Sequence, residues 1–195
     1  MISVIGVALG VILVVLFTGL ARGMTTDMAK RATNWKAEIV FSRAGGMEFT
    51  SSNMNVDTAY VEKLRAIDGV ASAVPVGRYI TPNTKGRFGV LQLDGVDWEP
   101  FAAMNEMRLV AGRGATAVNE VILDARQFRE DKVSLGDEIE LFGGKKYKVV
   151  GVFEPPSGSR IKMSMAAMQD ALGAPDKCTY ILVKLKDGAD TDAVA

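Results

Sequence analysis

The sequence begins with a long apolar run in which no side chain is charged. It covers residues 2–21 and consists mainly of valine, leucine and isoleucine. A helix of this length rises about 30 Å, which matches the hydrocarbon thickness of a bilayer. We therefore predict a transmembrane helix at residues 1–21. A secretory signal peptide is the alternative, since Gly19-Leu20-Ala21 fits a small-x-small cleavage site, but the run exceeds a signal core and lacks a basic start.

Charge and hydrophobicity are segregated along the chain. The 23 basic and 23 acidic side chains all lie at or after Arg22, so the rest of the chain has the charge content of an ordinary water-exposed domain. Zero net charge and the absence of histidine argue against nucleic-acid binding and against zinc, haem or triad chemistry. Cys178 is the single cysteine, which excludes an internal disulfide. We expect no cofactor, no metal and no enzymatic activity.

Two features describe the membrane helix and its continuation. Gly6 and Gly10 are four residues apart, a spacing that lets a second helix approach closely, although glycine is also common in membrane helices for other reasons. After the run, residues 22–35 are predicted to form an amphipathic stalk helix with an apolar side at every fourth position. That side could pack on protein or rest at the membrane surface. The basic residues after the run, taken alone, would place the large domain in the cytoplasm.

The first half of the polar part predicts a strand-helix-strand-strand unit. Residues 37–42 form a β-branched and aromatic run, which is typical of a strand. Asp57 is predicted to cap a helix that Gly69 ends. Extended segments follow at residues 70–80 and 88–96, and Pro75 suits an edge or a bulge in the first of them.

The second half predicts a small strand-rich insertion and a second strand-helix-strand unit. Residues 97–103 read as an irregular segment, and the Gly143-Gly144 pair is predicted to be the turn of a hairpin. The whole is an α+β domain large enough for its own core. The remaining predicted elements are a strand at 120–123, a helix at 124–130, hairpin arms at 138–142 and 146–153, a helix at 164–172 and a strand at 179–186.

The order and spacing of several degenerate segments are together fairly specific. They begin with the uncharged helix that contains Gly6, Gly10 and Gly19-Leu20, and they continue at residues 60–76, 93–101, 109–113, 119–128, 134–155 and 183–195. In this order the chain resembles the first membrane helix and the extracytoplasmic domain of MacB/FtsX-type ABC transporter permeases.

The resemblance implies a two-lobed fold behind the membrane helix. Porter-like βαβ repeats would occupy residues 36–96 and 146–188, a small β-rich inserted lobe residues 97–145, and the start of a descending segment residues 189–195. It implies a location in the cytoplasmic (inner) membrane, with the main domain extracytoplasmic, against the charge bias noted above.

The resemblance also implies a function and partners. The chain would be a permease subunit that couples ATP hydrolysis by a cytoplasmic ATP-binding subunit to movement of its outer domain, for export, extraction or signalling. It would form a homodimer or pair with another permease, and it could contact a periplasmic or extracellular protein or lipid. Family permeases have four membrane helices, and this sequence shows one. It could therefore be a fragment of such a subunit, and the alternative is a single-span anchored interaction or scaffold domain without transport.

Candidate contact residues come from the generous methionine content and from two aromatic residues. Met104, Met107, Trp98 and Phe101 could contact a partner or cargo, because unbranched methionine suits promiscuous apolar binding. Filling of the core is the competing interpretation, and a thioether copper site at the two methionines is a weaker one. Gly143-Gly144 lacks the remaining residues of a phosphate-binding loop.

The carboxylates show no pattern that favours catalysis. Asp124, Glu130 and Asp131 surround a short predicted helix and read as a cap and exposed surface rather than as an acid/base pair.

Overall fold

The computed structural model describes residues 2–43, 52–82, 90–141 and 144–194. Its first element is α1 (Ile2–Thr33), one continuous helix. Within the described part of the chain, this is the one helix long and apolar enough to cross a membrane, over Gly6–Gly23. The predicted anchor and stalk are therefore one helix. The apolar side predicted for the stalk involves side chains outside the described ones.

The domain that follows α1 is rich in strands. The described elements are β1 (Ile39–Phe41), β2 (Val56–Asp57), α2 (Tyr60–Arg65), β3 (Val70–Pro82), β4 (Val90–Val96), α3 (Trp98–Met104), β5 (Arg108–Gly112), β6 (Glu120–Asp124), α4 (Ala125–Glu130), β7 (Glu138–Leu141), β8 (Lys145–Glu154), β9 (Ile161–Ser164), α5 (Met165–Leu172), β10 (Lys177–Cys178), β11 (Tyr180–Leu185) and α6 (Thr191–Val194).

One mixed sheet connects most of these strands. The order is β1-β11-β3-β4-β9-β6-β8-β5, with β7 added on β8, and β2 pairs with β10 separately. The long strand β3 connects two parts of the sheet, since its first half pairs with β11 and its residues 77–82 pair with β4. Pro75 lies in the first half, opposite Ile181.

The sheet is apolar on both sides, which explains the nearly continuous apolar run of β11. Tyr180 and Leu182 pack on one side, in the same cluster as Phe101 of α3. Ile181 and Val183 alternate with them and pack on the other side, in a cluster with residues of α2 and α5. The period of two in a strand produces this division.

Local signals for several elements are confirmed. The carboxylate of Asp124 caps α4 as predicted, by accepting from the Gln127 N–H at 2.5 Å. Helix α5 begins directly after Ser164, the predicted start, whose hydroxyl caps it. Gly173 ends α5 in the left-handed region, at φ 61°. Strands β7 and β8 form the predicted antiparallel hairpin, although residues 142–143 of its turn lie outside the described residues.

Three expectations about local structure are corrected. Residues 98–104 form the helix α3, which tolerates Pro100 because its first turn needs no N–H from that residue. Helix α2 begins after Ala59, so Asp57 is not its N-cap residue; its carboxylate accepts from the Ala59 N–H instead. The short strands β2, β9 and β10 were not predicted, because strands of two to four residues show little periodicity.

Strand pairing also bears on the division into lobes. Strand β8 lies in the segment assigned to the second porter-like half, yet it pairs with β5, β6 and β7 of the inserted segment. Strand β9 then joins β6 to β4 in the same sheet. Residues 145–154 therefore pair with the inserted strands, and the division into lobes stays a prediction. Near the end of the described chain, Val194 of α6 packs against the cluster around β11.

Candidate functional site

The three residues that follow α1 connect it to two loops of the domain. The Asn34 side chain donates to the carbonyl of Pro156 at 2.6 Å, in the loop after β8. The Lys36 N–H donates to the Asn105 side chain at 3.4 Å, and its ammonium lies 3.6 Å from the Glu106 carboxylate, in the connection between α3 and β5. We call residues 34–36 and these contacts the stalk junction.

Trp35 links the stalk junction to a buried guanidinium. Its ring centroid lies 5.6 Å from the Arg78 guanidinium carbon and 6.0 Å from the Tyr180 ring. The Tyr180 ring also faces Arg78, at 5.1 Å. Two aromatic faces around a cation give a favourable contact in a dry site.

Arg78, Asp94 and Lys162 form a buried cluster that we call the ion cluster. The guanidinium donates to both carboxylate oxygens of Asp94, from Nε at 2.9 Å and from Nη2 at 3.2 Å. Lys162 Nζ lies 3.6 Å from Asp94 Oδ2. The exposed fractions of the three side chains are 3%, 1% and 0%.

The register of the sheet brings the ion cluster together. Arg78 of β3 lies opposite Asp94 of β4, and Asp94 lies opposite Lys162 of β9. Directly opposite residues on neighbouring strands project to the same side of a sheet. Three charges that are distant in sequence therefore meet on adjacent strands.

The ion cluster also holds the loop between β8 and β9. Lys162 Nζ donates to the carbonyls of Ser157 at 2.8 Å and Ser159 at 3.2 Å. The Ser159 N–H in turn donates to Asp94 Oδ2 at 2.9 Å. Because Pro156 of the same loop accepts from Asn34, the loop is bound both to the stalk junction and to the ion cluster.

Electrostatics keep Asp94 ionised despite its burial. Burial alone would raise the pKa of Asp94, but the charges of Arg78 and Lys162 outweigh it and hold the pKa at about 2. For Arg78, burial acts to lower the pKa, and the Asp94 carboxylate overcomes this and raises it above the usual value. For Lys162, burial dominates, and Asp94 offsets it only in part, so the pKa falls to about 8.

The lowered pKa of Lys162 predicts a pH-dependent stability. Between about pH 8 and the ordinary lysine pKa of 10.5, the unfolded chain binds more protons at this residue than the folded chain. The contribution of Lys162 to the free energy of unfolding should therefore increase as pH rises through this window. We expect urea unfolding of the chain in detergent micelles to show a more positive pH slope than the Lys162→Met variant shows. Equal slopes would contradict this assignment.

The structure places the predicted contact residues mainly in the core. Phe101, Met104 and Met107 are 1%, 3% and 8% exposed, and they pack in one cluster with β3 and β11. Trp98 is half-buried, and its ring lies 5.8 Å from Phe153. The expectation that the first three are surface contacts is wrong. Phe101 and Met104 lie on the side of α3 that packs on the sheet, and Met107, in the connection to β5, packs in the same cluster.

The other candidate positions have different outcomes. Gly6 and Gly10 lie on the exposed surface of α1, where a Cβ would meet no atom within 4 Å, so their role in helix packing stays a prediction. Cys178 is buried, and burial raises the pKa of its thiol to about 12. Among the described residues, no group of three or more histidine, cysteine, aspartate or glutamate side chains could hold a metal ion.

Sequence reasoning missed the ion cluster. Each member lies in an otherwise apolar strand, and a charge inside such a run was the available signal. The run alone does not show which charges become neighbours.

Comparison with known proteins identifies the family. The sequence matches the MacB-like periplasmic core domain over residues 1–195. The chain belongs to this family. It is therefore a member of an ABC transporter permease family, with a membrane-anchored arrangement of one apolar helix and a periplasmic-type domain.

Solved structures show the same α+β fold at low sequence identity. The periplasmic region of MacB from Actinobacillus actinomycetemcomitans is 16% identical with a TM-score of 0.58, over 79% of this chain and 76% of that one. The extracellular domain of the noncanonic ABC-type transporter YknZ from Gram-positive bacteria is 16% identical with a TM-score of 0.58, over 80% and 86%. A permease domain from Porphyromonas gingivalis is 15% identical with a TM-score of 0.55, over 73% and 68%. No curated protein sequence matches the chain.

Proposed function

We propose that this MacB-like chain is a permease subunit whose outer domain is moved by ATP hydrolysis in a cytoplasmic partner. In this proposal the chain lies in the cytoplasmic (inner) membrane, with the domain after α1 on the extracytoplasmic side. It pairs with a second permease, through a homodimer or with another chain, and has no enzymatic activity of its own. The movement serves export, extraction or signalling.

The continuous path from α1 to the centre of the sheet supports this proposal. Helix α1 has no break between the apolar segment and Thr33. Asn34 then binds the loop that Lys162 and Asp94 hold, and Trp35 contacts Arg78. A displacement of α1 would thus reach β3, β4 and β9 through hydrogen bonds and packed rings rather than through a flexible linker.

Purification with a partner tests the proposal. We expect the tagged full chain, extracted in mild detergent from its native membrane, to carry an ATP-binding subunit and vanadate-sensitive ATPase activity. If the chain purifies with neither, the proposal is wrong, and the single-span interaction module becomes the better interpretation.

A variant of the stalk junction tests the coupling itself. A spin label at Val110→Cys, which is an exposed position, reports the distance between the two copies of a homodimer; the Cys178→Ser background removes the buried thiol. We expect vanadate trapping to shift this distance in the parent chain. Trp35→Ala should reduce the shift while the ATPase remains bound, because the contact with Arg78 is lost.

The matched control for this measurement is Trp98→Ala. It removes a half-buried tryptophan that packs on Phe153 rather than at the stalk junction. An equal reduction in both variants would show a general loss of packing and would contradict a coupling role for Trp35.

A further inference from the structure

An open cavity of about 600 Å³ lies between β5, α4 and the loop after β8. This volume is within the range of small-molecule sites in proteins. The loop after β8 contributes Pro156 to its wall. The charged part of the wall consists of three arginines and three carboxylates: Arg108, Arg126, Arg129, Glu106, Asp124 and Glu154. Neither the stalk junction nor the ion cluster uses the guanidinium groups of this cavity.

Some charged side chains of the cavity wall have an ion-pair partner, and others have none among the described residues. Arg126 Nε lies 2.6 Å from the Glu130 carboxylate, and Glu106 pairs with Lys36. Within the residues that the structure describes, Arg108 and Arg129 make no ion pair. The wall also holds Asp124 and Glu154, so its remaining cations and carboxylates balance in number. Asp124 is 1% exposed and caps α4 with one oxygen, which leaves Glu154 as the accessible carboxylate beside Arg108 and Arg129.

Glu154 is the accessible carboxylate next to Arg108. It lies opposite Arg108 in the ladder between β5 and β8, yet in the described structure the two side chains are not within ion-pair distance. A ligand that satisfied both groups would carry an anionic group and a cationic group. Guanidinium forks match the oxygens of phosphate and carboxylate, and a carboxylate accepts from an ammonium group.

The position of the cavity relative to α1 favours a soluble ligand. Pro156, in its wall, is the residue that accepts from Asn34. Helix α1 continues from the end of its apolar window at Gly23 to Thr33, which adds a rise of about 15 Å. The cavity therefore lies well beyond the headgroups of a bilayer that the apolar window spans.

We propose that this cavity binds a small soluble zwitterion, whose phosphate or carboxylate group is held by Arg108 and Arg129 and whose ammonium group is held by Glu154. This binding site does not depend on the proposed transport function. It would be present whether the chain works as a permease subunit or as an anchored interaction domain.

Calorimetric titration of the full chain in maltoside micelles tests the site. The probes are phosphoethanolamine, β-alanine and inorganic phosphate, which separate a phosphate zwitterion, a carboxylate zwitterion and an anion without an ammonium group. We expect saturable binding of one zwitterion per chain, and a loss of about tenfold or more in affinity for Arg108→Gln and for Arg129→Gln. The control is Arg43→Gln, which removes an exposed arginine next to β1, at the opposite edge of the sheet from β5.

A second variant separates binding from loss of folding. Glu154→Gln should weaken the zwitterion and strengthen inorganic phosphate, because it removes the ammonium partner and also the repulsion of the anion. A misfolded variant could not gain affinity for phosphate. The proposal is overturned if neither zwitterion saturates the parent chain at concentrations up to about 10 mM, because a larger Kd would mean only marginal binding. It is also overturned if Arg43→Gln weakens binding as much as Arg129→Gln, or if Glu154→Gln changes both probes in the same direction.

Discussion

Asp94→Ala is expected to lower the free energy of unfolding by about 3–5 kcal/mol, because it leaves Arg78 and Lys162 buried without their carboxylate. The Ser159 N–H would also lose its acceptor. Urea unfolding of the full chain in detergent micelles, followed by circular dichroism, measures this change. Since domains of this kind are stable by only about 5–15 kcal/mol, the loss should be evident.

The control for Asp94 is a carboxylate in an exposed pair. Glu138 lies 3.4 Å from Lys146, and its side chain is 58% exposed. Glu138→Gln should change the free energy of unfolding by less than about 0.5 kcal/mol. A loss below about 1 kcal/mol in Asp94→Ala would mean that water or movement of the loop compensates the two cations, and it would contradict the role given to the ion cluster.

Gly112→Ala is expected to cost about 3 kcal/mol or more, the second large effect. Gly112 has φ 69°, a region unfavourable for residues with a Cβ, and the new Cβ would lie 2.1 Å from the Val150 carbonyl oxygen. Because the obstacle is backbone of the neighbouring strand β8, a side-chain movement cannot remove it. Denaturant unfolding under the same conditions measures the loss.

Gly173→Ala is the matched control for Gly112. Gly173 has φ 61°, but a Cβ there would meet nothing within 4 Å. Only the conformational cost should remain, about 1 kcal/mol. If the two variants lose the same stability, the close approach of β5 and β8 at Gly112 has no energetic consequence, and the prediction is wrong.

The sequence predicted structural features correctly where a side chain interacts with residues close to it in the chain. The cap of α4 was predictable, because a carboxylate followed by helix-forming residues binds the N–H groups of the next turn. The hairpin of β7 and β8 followed from a glycine pair between two strand-like runs. The prediction of an irregular segment at residues 97–103 is wrong, because a proline in the first turn of a helix, such as Pro100 in α3, breaks no intrahelical hydrogen bond.

The candidate site was less predictable, because pairing between distant strands creates it. Nothing near Asp94 in sequence indicates that Arg78 and Lys162 lie on the two strands beside it. The same holds for Phe101, Met104 and Met107, whose burial depends on how α3 and the connection after it lie on the sheet. Their residue types are compatible both with filling the core and with contacting a partner, and only their position in the fold shows that they fill the core.

By itself, the sequence determined the properties that depend on local composition and periodicity. These are an uncharged helix long enough to cross a membrane, an α+β domain after it, and the order of segments typical of its family. Tertiary structure decided the continuous sheet, the burial of the ion cluster and the contact of the stalk junction with it. The physical reason is register: a shift of one residue in β4 would turn Asp94 to the other side of the sheet, and the cations of β3 and β9 would lose it.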